Sequence, residues 1–222
     1  MSTLPLSRAT DVAAIQEARA ALESRIAAAG GDPSSITIVA VTKSFGIETV
    51  EAALAAGMTT LGENYAAELI EKAAGISNDD VSWHYLGAIQ TNKVGRLAQV
   101  TSCFEGLARE REAEAIALRR PGATVMVQVE LTGLPGRNGV APHEVQSLVE
   151  RAQTLGLEVA GLMTVAPQEP DRARAAFRKV REMKEDLGLA EASMGMSDDL
   201  EIAVEEGSTM IRVGRGLFGA RS

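Results

Sequence analysis

The stretch that decides the fold is residues 36–43, ITIVAVTK, which ends on Lys43. A short run of β-branched and small apolar residues is typical of a strand that is buried on both faces of a parallel sheet. The Ala-rich residues 47–56 follow with helical spacing and stop at Gly57. These residues therefore predict one strand and one helix of a βα unit.

The same alternation repeats along the rest of the chain. Further strands are predicted at 59–62, 82–86, 100–104, 124–130, 157–163, 192–194 and 209–213. Further helices are predicted at 66–74, 91–98, 109–119, 142–155, 171–186 and 198–206. Consecutive βα units require right-handed crossovers and a parallel sheet. Eight of them predict an α/β fold, a single (β/α)₈ barrel of the TIM type.

An amphipathic helix precedes this barrel. Val12, Ile15, Leu22 and Ile26 keep helical spacing, and residues 30–33 (GGDP) end the pattern. We predict an N-terminal helix within residues 1–32 and a barrel over 36–222. A length of 222 residues suits one closed α/β barrel, and no Pro/Ser/Gly-rich linker divides the chain, so residues 1–222 are predicted to form one domain.

Composition excludes several classes of protein. With 45% hydrophobic and 23% charged residues, the chain is typical of a soluble globular protein. A net charge of −8 and the lack of a basic tract argue against nucleic acid as a partner. No export signal or membrane span is found, so we expect a cytoplasmic protein that does not bind membranes. The single cysteine, Cys103, excludes an internal disulfide and a multi-cysteine metal site, and its apolar surroundings predict burial.

Lys43 is the first candidate for chemistry. Functional groups of such barrels lie at the C-terminal ends of the strands, and Lys43 directly follows the first strand. In a low-dielectric barrel mouth an amine can lose its proton and act as an imine-forming nucleophile. A lysine that simply reaches solvent from the strand end is the alternative.

The loops after strands 7 and 8 predict an anion site. Gly214, Gly216 and Gly219 follow the last strand, where small residues let backbone N–H groups approach a phosphate. Ser197 is predicted to be the N-cap residue of helix 198–206, with its hydroxyl and the first amides facing the same anion. The alternatives are a serine that only caps the helix and glycines that only form turns. Asp198 and Asp199 also place negative charge close to the predicted anion site.

One kind of ligand suits three predicted features, which are Lys43, the phosphate site and Arg212 at the end of strand 8. An aldehyde that carries a phosphate would be held by such a set, and pyridoxal 5′-phosphate fits this description. Because arginine does not give up its proton, Arg212 beside the ring nitrogen would keep the pyridine unprotonated. With its ring nitrogen unprotonated, the predicted cofactor would be a weaker electron sink than a protonated pyridinium.

The sequence resembles the pyridoxal phosphate homeostasis proteins, the YggS/PROSC family, which share the barrel of the alanine racemase N-terminal domain. The matching motifs span nearly the whole chain and are 39–43 (VAVTK), 62–65 (GENY), 83–87 (WHYLG), 90–93 (QTNK), 161–163 (GLM), 194–199 (MGMSDD) and 207–214 (GSTMIRVG).

This resemblance implies eight residues around the cofactor, namely Lys43, Asn64, His84, Met163, Ser197, Arg212, Gly214 and Arg215. Lys43 would carry pyridoxal 5′-phosphate as a Schiff base, and Arg212 would face the pyridine nitrogen. Ser197 and the backbone of residues 214 and 215 would hold the phosphate. Many members have Thr where this chain has Arg215, so a backbone or charged contact would replace that hydroxyl.

The resemblance also implies a non-catalytic role in cofactor homeostasis. The expected partners are the cofactor and apo-enzymes that depend on pyridoxal phosphate, and the protein is expected to be a monomer or weak dimer. Resembling racemases supply a second acid/base group from a C-terminal domain, whereas this sequence ends at Ser222. The candidates that remain for this group are Tyr65, Tyr85, His84 and His143. A weak racemase or lyase that uses Lys43 is the enzymatic alternative, and a barrel for a sugar phosphate or nucleotide is a third hypothesis.

Overall fold

The computed structural model describes residues 8–77 and 80–220. Eight parallel strands pair in chain order and close into a barrel, with the last strand against the first. They are β1 (Thr37–Val41), β2 (Thr60–Glu63), β3 (Ser82–Tyr85), β4 (Cys103–Leu107), β5 (Thr124–Val129), β6 (Glu158–Thr164), β7 (Glu191–Ser193) and β8 (Met210–Val213). The predicted (β/α)₈ barrel is confirmed.

Among the described residues, one α-helix precedes the first strand, one lies between each pair of consecutive strands, and one follows the last strand. They are α1 (Val12–Ala28), α2 (Ile47–Ala55), α3 (Ala66–Gly75), α4 (Val94–Leu97), α5 (Glu110–Arg119), α6 (Val145–Thr154), α7 (Pro170–Asp186), α8 (Leu200–Glu205) and α9 (Arg215–Phe218). The predicted N-terminal helix is α1, and residues 1–7 of its expected segment lie outside the described residues. Within residues 8–77 and 80–220, each helix is too short or too polar to span a bilayer.

Side chains of the strands alternate between two apolar clusters. The cluster inside the barrel contains Val39, Cys103, Met126, Met163 and Met210. The larger cluster lies between the outer face of the strands and the helices. Cys103 is buried as predicted. Because successive residues of a strand point to opposite faces, odd-numbered residues of β1 face the interior and even-numbered ones face the helices.

The prediction for β4 is wrong by three residues. The expected strand was 100–104, but the backbone amides of Val100 and Thr101 both donate to the carbonyl of Leu97 and close the turn after α4. The strand therefore begins at Cys103 and runs to Leu107. As a result Glu105, which the sequence pattern placed beyond the strand, lies inside the barrel wall.

Candidate functional site

A cavity of about 380 Å³ opens at the C-terminal ends of the strands. Seven of the eight predicted site residues line it, namely Lys43, Asn64, Met163, Ser197, Arg212, Gly214 and Arg215. His84, the eighth, is not among the described residues that line the cavity. The folding of the chain thus brings residues from five strand ends to one place.

The direction of Lys43 follows from the alternation along β1. Val39 belongs to the interior cluster, and Val41 and Lys43 both line the cavity. Thr42, between them, is buried on the other side of the strand, where its hydroxyl donates to Glu63. The half-buried Lys43 therefore faces the cavity.

Arg212 forms the buried floor of the cavity on the β8 side. Its Nη1 donates to the carbonyl oxygen and the hydroxyl of Ser193, at 2.7 and 2.8 Å, and its Nη2 donates to the carbonyl oxygen of Thr164 at 2.7 Å. Burial lowers the pKa of this guanidinium, and the charges of Glu105 and Asp199 oppose that shift. An arginine nonetheless stays protonated in proteins, so Arg212 presents a fixed positive charge.

Glu105 is the counter-charge that the sequence analysis missed. The carboxylate is fully buried, with Oε1 2.6 Å from Nδ1 of His84 and Oε2 accepting the Ser193 hydroxyl at 2.5 Å. Burial alone raises its pKa, but the hydrogen bond with His84 and the charge of Arg212 outweigh burial and leave the pKa below its ordinary value. His84 thus supports Arg212 through Glu105 and Ser193. A signal existed in the sequence, because apolar residues 106–108 continue the strand pattern beyond Glu105.

Ser197 is not an N-cap residue, contrary to the prediction. Helix α8 begins at Leu200, and Asp199 precedes it and accepts a hydrogen bond from the amide of Met196 at 2.6 Å. The Ser197 hydroxyl instead accepts a hydrogen bond from the amide of Gly216 at 3.2 Å. The loop after β7 and the loop after β8 are therefore joined directly at the cavity.

Of the three predicted glycines after β8, Gly214 and Gly216 leave little room for a side chain, whereas the nearest neighbour of a Cβ at Gly219 would be Arg8, at 3.6 Å. A Cβ at Gly216 would lie 2.7 Å from a methyl of Val213 and 3.2 Å from the Ser197 hydroxyl. A Cβ at Gly214 would lie 3.1 Å from the carbonyl oxygen of Val41. Gly214 itself lines the cavity, and Gly216 lets the loop after β8 approach Ser197, another lining residue.

The acidic residues of this loop are accounted for by contacts. Asp198 forms an ion pair with Arg215 at the rim of the cavity, and both side chains are largely exposed. The Asp199 carboxylate accepts a hydrogen bond from the backbone amide of Met196. Arg215 therefore offsets the charge of Asp198, while Asp199 is held by a backbone amide.

The opposite wall of the cavity is polar, and its residues Gln128 and Asn138 were not predicted. The Nδ2 of Asn138 donates to Oε1 of Gln128 at 2.6 Å and to the carbonyl of Gly106 at 3.0 Å. Its Oδ1 is buried without a hydrogen-bond partner among the described residues. Within those residues no group of three or more His, Cys, Asp and Glu side chains is placed to hold a metal ion.

Comparison with known proteins identifies the family. Residues 11–222 match the family model described as alanine racemase, N-terminal domain. The pyridoxal phosphate homeostasis protein of Pseudomonas aeruginosa is 37% identical over 100% of this chain and 97% of that protein, and its namesake from Deinococcus radiodurans is 38% identical over 86% and 93%. The structure of PipY from Synechococcus elongatus with PLP bound is similar at a TM-score of 0.81, with 31% identity over 92% of this chain and 100% of PipY. The chain therefore belongs to the alanine racemase N-terminal domain family and to the pyridoxal phosphate homeostasis proteins within it.

Proposed function

We propose that this protein binds pyridoxal 5′-phosphate for cofactor homeostasis, buffering it and delivering it to apo-enzymes, with the cofactor attached to Lys43 as a Schiff base. The observation that carries the proposal is that the Lys43 amine, the buried Arg212 guanidinium and the loop at Gly214 line one cavity. The names of the P. aeruginosa and D. radiodurans relatives and the ligand of PipY support the same cofactor.

The residues present fit this group in their chemistry. The Ser197 hydroxyl and the backbone at Gly214 and Arg215 line the cavity, and a hydroxyl with backbone amides in a short loop suits a phosphate. Arg212 suits an unprotonated ring nitrogen because it can only donate. When bound, pyridoxal 5′-phosphate would supply an aldehyde carbon, and the Lys43 amine would hold the cofactor through that carbon.

The choice of a carrier over a racemase is supported by the side chains that line the cavity. Among the described residues of the lining, none is a tyrosine, histidine or cysteine. The Tyr85 hydroxyl donates to the Ala88 carbonyl at 3.1 Å, His84 contacts Glu105, and Tyr65 is 56% exposed. A racemase needs a proton donor on the face of the substrate opposite the lysine, and the candidates from the sequence are engaged elsewhere or exposed.

Absorbance and chemical trapping test the cofactor assignment. The purified protein mixed with pyridoxal 5′-phosphate should gain a visible absorption band, which borohydride should remove while it fixes the label on Lys43 in peptide maps. The Lys43→Ala variant should show neither effect. A wild-type protein that gains no band, or carries the label at another lysine, would overturn the proposal.

A second experiment separates carrier from enzyme. The loaded protein should transfer cofactor to an apo-enzyme, and a trap for free cofactor then distinguishes direct transfer from release into solution. Incubation with single amino-acid enantiomers should yield no sustained inversion or keto acid. Turnover that disappears in Lys43→Ala would show that the protein is a racemase or lyase instead.

A further inference from the structure

We propose that Glu63, Glu68 and Lys72 form a clamp that positions Lys43 for its bond to the cofactor, an inference that rests on the proposed function. These three side chains, called the clamp below, come from β2 and α3 on the outer side of the barrel wall. Lys43 lies on the inner side. None of the three clamp residues is among the described residues that line the cavity, so they are positioning residues.

The clamp holds the residue before Lys43 through its backbone and its side chain. The Lys72 ammonium donates to the carbonyl oxygen of Thr42 at 2.8 Å, and this carbonyl belongs to the peptide bond that joins Thr42 to Lys43. The same ammonium lies 2.5 Å from Oε1 of Glu63, and the Thr42 hydroxyl donates to that oxygen at 2.7 Å. Thr42, Glu63 and Lys72 are all buried.

The clamp also holds the residue after Lys43. The backbone amide of Ser44 donates to Oε2 of Glu68 at 2.8 Å, and this oxygen lies 3.4 Å from the Lys72 ammonium. Ser44 has a φ of 63°, in the left-handed region that non-glycine residues rarely adopt. The chain therefore turns sharply just after Lys43, and Glu68 secures that turn.

Stability alone is a poor reason for this arrangement. Burying an ion pair costs desolvation that its attraction only partly offsets, and apolar replacements of similar size are often as stable. In addition Oε2 of Glu63 is buried with no hydrogen-bond partner among the described residues. What the clamp does provide is a fixed position for Thr42 and Ser44 on the outer side, which holds the side chain between them on the inner side.

A fixed lysine matters because the cofactor would be bound by other elements. Ser197, Arg212 and Gly214 belong to β7, β8 and their loops, whereas Lys43 follows β1. A covalent bond between a ligand held there and Lys43 forms readily only if the reacting atoms are held at the right distance and direction. The clamp sets that geometry from outside the cavity.

The Glu68→Ala variant tests the clamp, because it removes the carboxylate that accepts from the Ser44 amide. Glu68 is partly exposed, so this substitution leaves no large buried cavity. We expect the Kd for pyridoxal 5′-phosphate to rise about tenfold, the ratio that corresponds to one lost hydrogen bond to a charged group, and borohydride trapping on Lys43 to slow in parallel. The Kd for pyridoxine 5′-phosphate, which has the phosphate and ring but no aldehyde, should stay unchanged. Glu68→Gln should restore the wild-type values because its amide oxygen can still accept from Ser44.

Glu71→Ala is the matched control, since Glu71 is an exposed glutamate of the same helix. The double variant Lys72→Met/Glu63→Gln, which leaves no unpaired buried charge, should repeat the selective loss of affinity for the aldehyde. Equal weakening of both ligands, or unchanged binding of pyridoxal 5′-phosphate in the variants, would overturn the clamp. A wild-type protein that is not labelled on Lys43 would instead overturn the proposed function, and with it the inference.

Discussion

The Nδ1 atom of His84 lies 2.6 Å from Oε1 of Glu105, and both side chains are buried inside the barrel. The second oxygen of Glu105 accepts the hydroxyl of Ser193, which also accepts a hydrogen bond from Arg212. One carboxylate therefore connects β3, β4, β7 and β8 below the cavity. This network places a negative charge behind the guanidinium that lines the candidate cofactor site.

Glu105 should make the protein sensitive to acid. Burial raises the pKa of this carboxyl, but its contacts with His84, Arg212 and Ser193 lower it further than burial raises it, so the folded-state pKa lies below 4.5. Such a group stabilises the fold above its unfolded-state pKa, and the contribution is lost as the pH falls through the folded-state pKa. Urea denaturation should show the free energy of unfolding decreasing below about pH 4.5, and less steeply in Glu105→Gln.

At neutral pH the Glu105→Gln variant should lose about 3 kcal/mol of unfolding free energy, since Arg212 is left buried without its counter-charge. The control is Glu114→Gln, which weakens the exposed pair of Glu114 with Arg151 and should cost less than about 1 kcal/mol. Equal effects of the two substitutions would show that the buried network contributes no more than a surface pair.

Cys103 should react slowly with thiol reagents in the folded protein. It belongs to the apolar cluster inside the barrel, and burial, together with the charge of Glu105, raises the pKa of its thiol well above 9.0. The thiolate is the reactive form of cysteine. Labelling with a chromogenic disulfide should therefore be far slower under native conditions than in urea, and rapid stoichiometric labelling of the native protein would contradict the burial of Cys103.

Gly216→Ala should weaken the binding of phosphorylated ligands. Its Cβ would lie 2.7 Å from Val213 and 3.2 Å from the Ser197 hydroxyl, so the two loops must separate. We expect the Kd for pyridoxal 5′-phosphate to rise about tenfold, because overpacking of this kind costs about 1–3 kcal/mol. Pyridoxal, which lacks the phosphate, should bind with a smaller change.

The control for this substitution is Gly95→Ala, at a helical position where an added Cβ would have no neighbour closer than 3.8 Å. It should leave both ligands unaffected. Equal weakening of pyridoxal and its phosphate in Gly216→Ala would place the phosphate elsewhere.

Ser44 should tolerate glycine but not a β-branched residue. Its φ of 63° lies in the left-handed region, which glycine adopts freely and valine does not. Ser44→Val should lower the free energy of unfolding by about 1–2 kcal/mol, whereas Ser44→Gly should leave it nearly unchanged. Urea denaturation of the two variants is the measurement, and a similar loss in both would assign the effect to the serine hydroxyl rather than to backbone conformation.

The difference between predicted and observed sites has a particular cause. Lys43 and Arg212 were found because each ends or interrupts an apolar strand run, and the period of two along a strand directs both into the barrel. Glu105 was missed because β4 was predicted three residues too early, which put it outside the sheet. Ser197 was found as a residue, but its predicted role as an N-cap was wrong because α8 begins only at Leu200.

The order of strands and helices is a local property, carried by hydrophobic spacing that repeats within each unit, so the sequence by itself determined the barrel and the position of Lys43 directly after β1. Contacts between distant parts of the chain are different. Ser193 and Glu105 are 88 residues apart, and the clamp that joins α3 to the backbone beside Lys43 bridges up to 30. No local pattern encodes these pairings, because they exist only once the barrel has closed and brought the strand ends together.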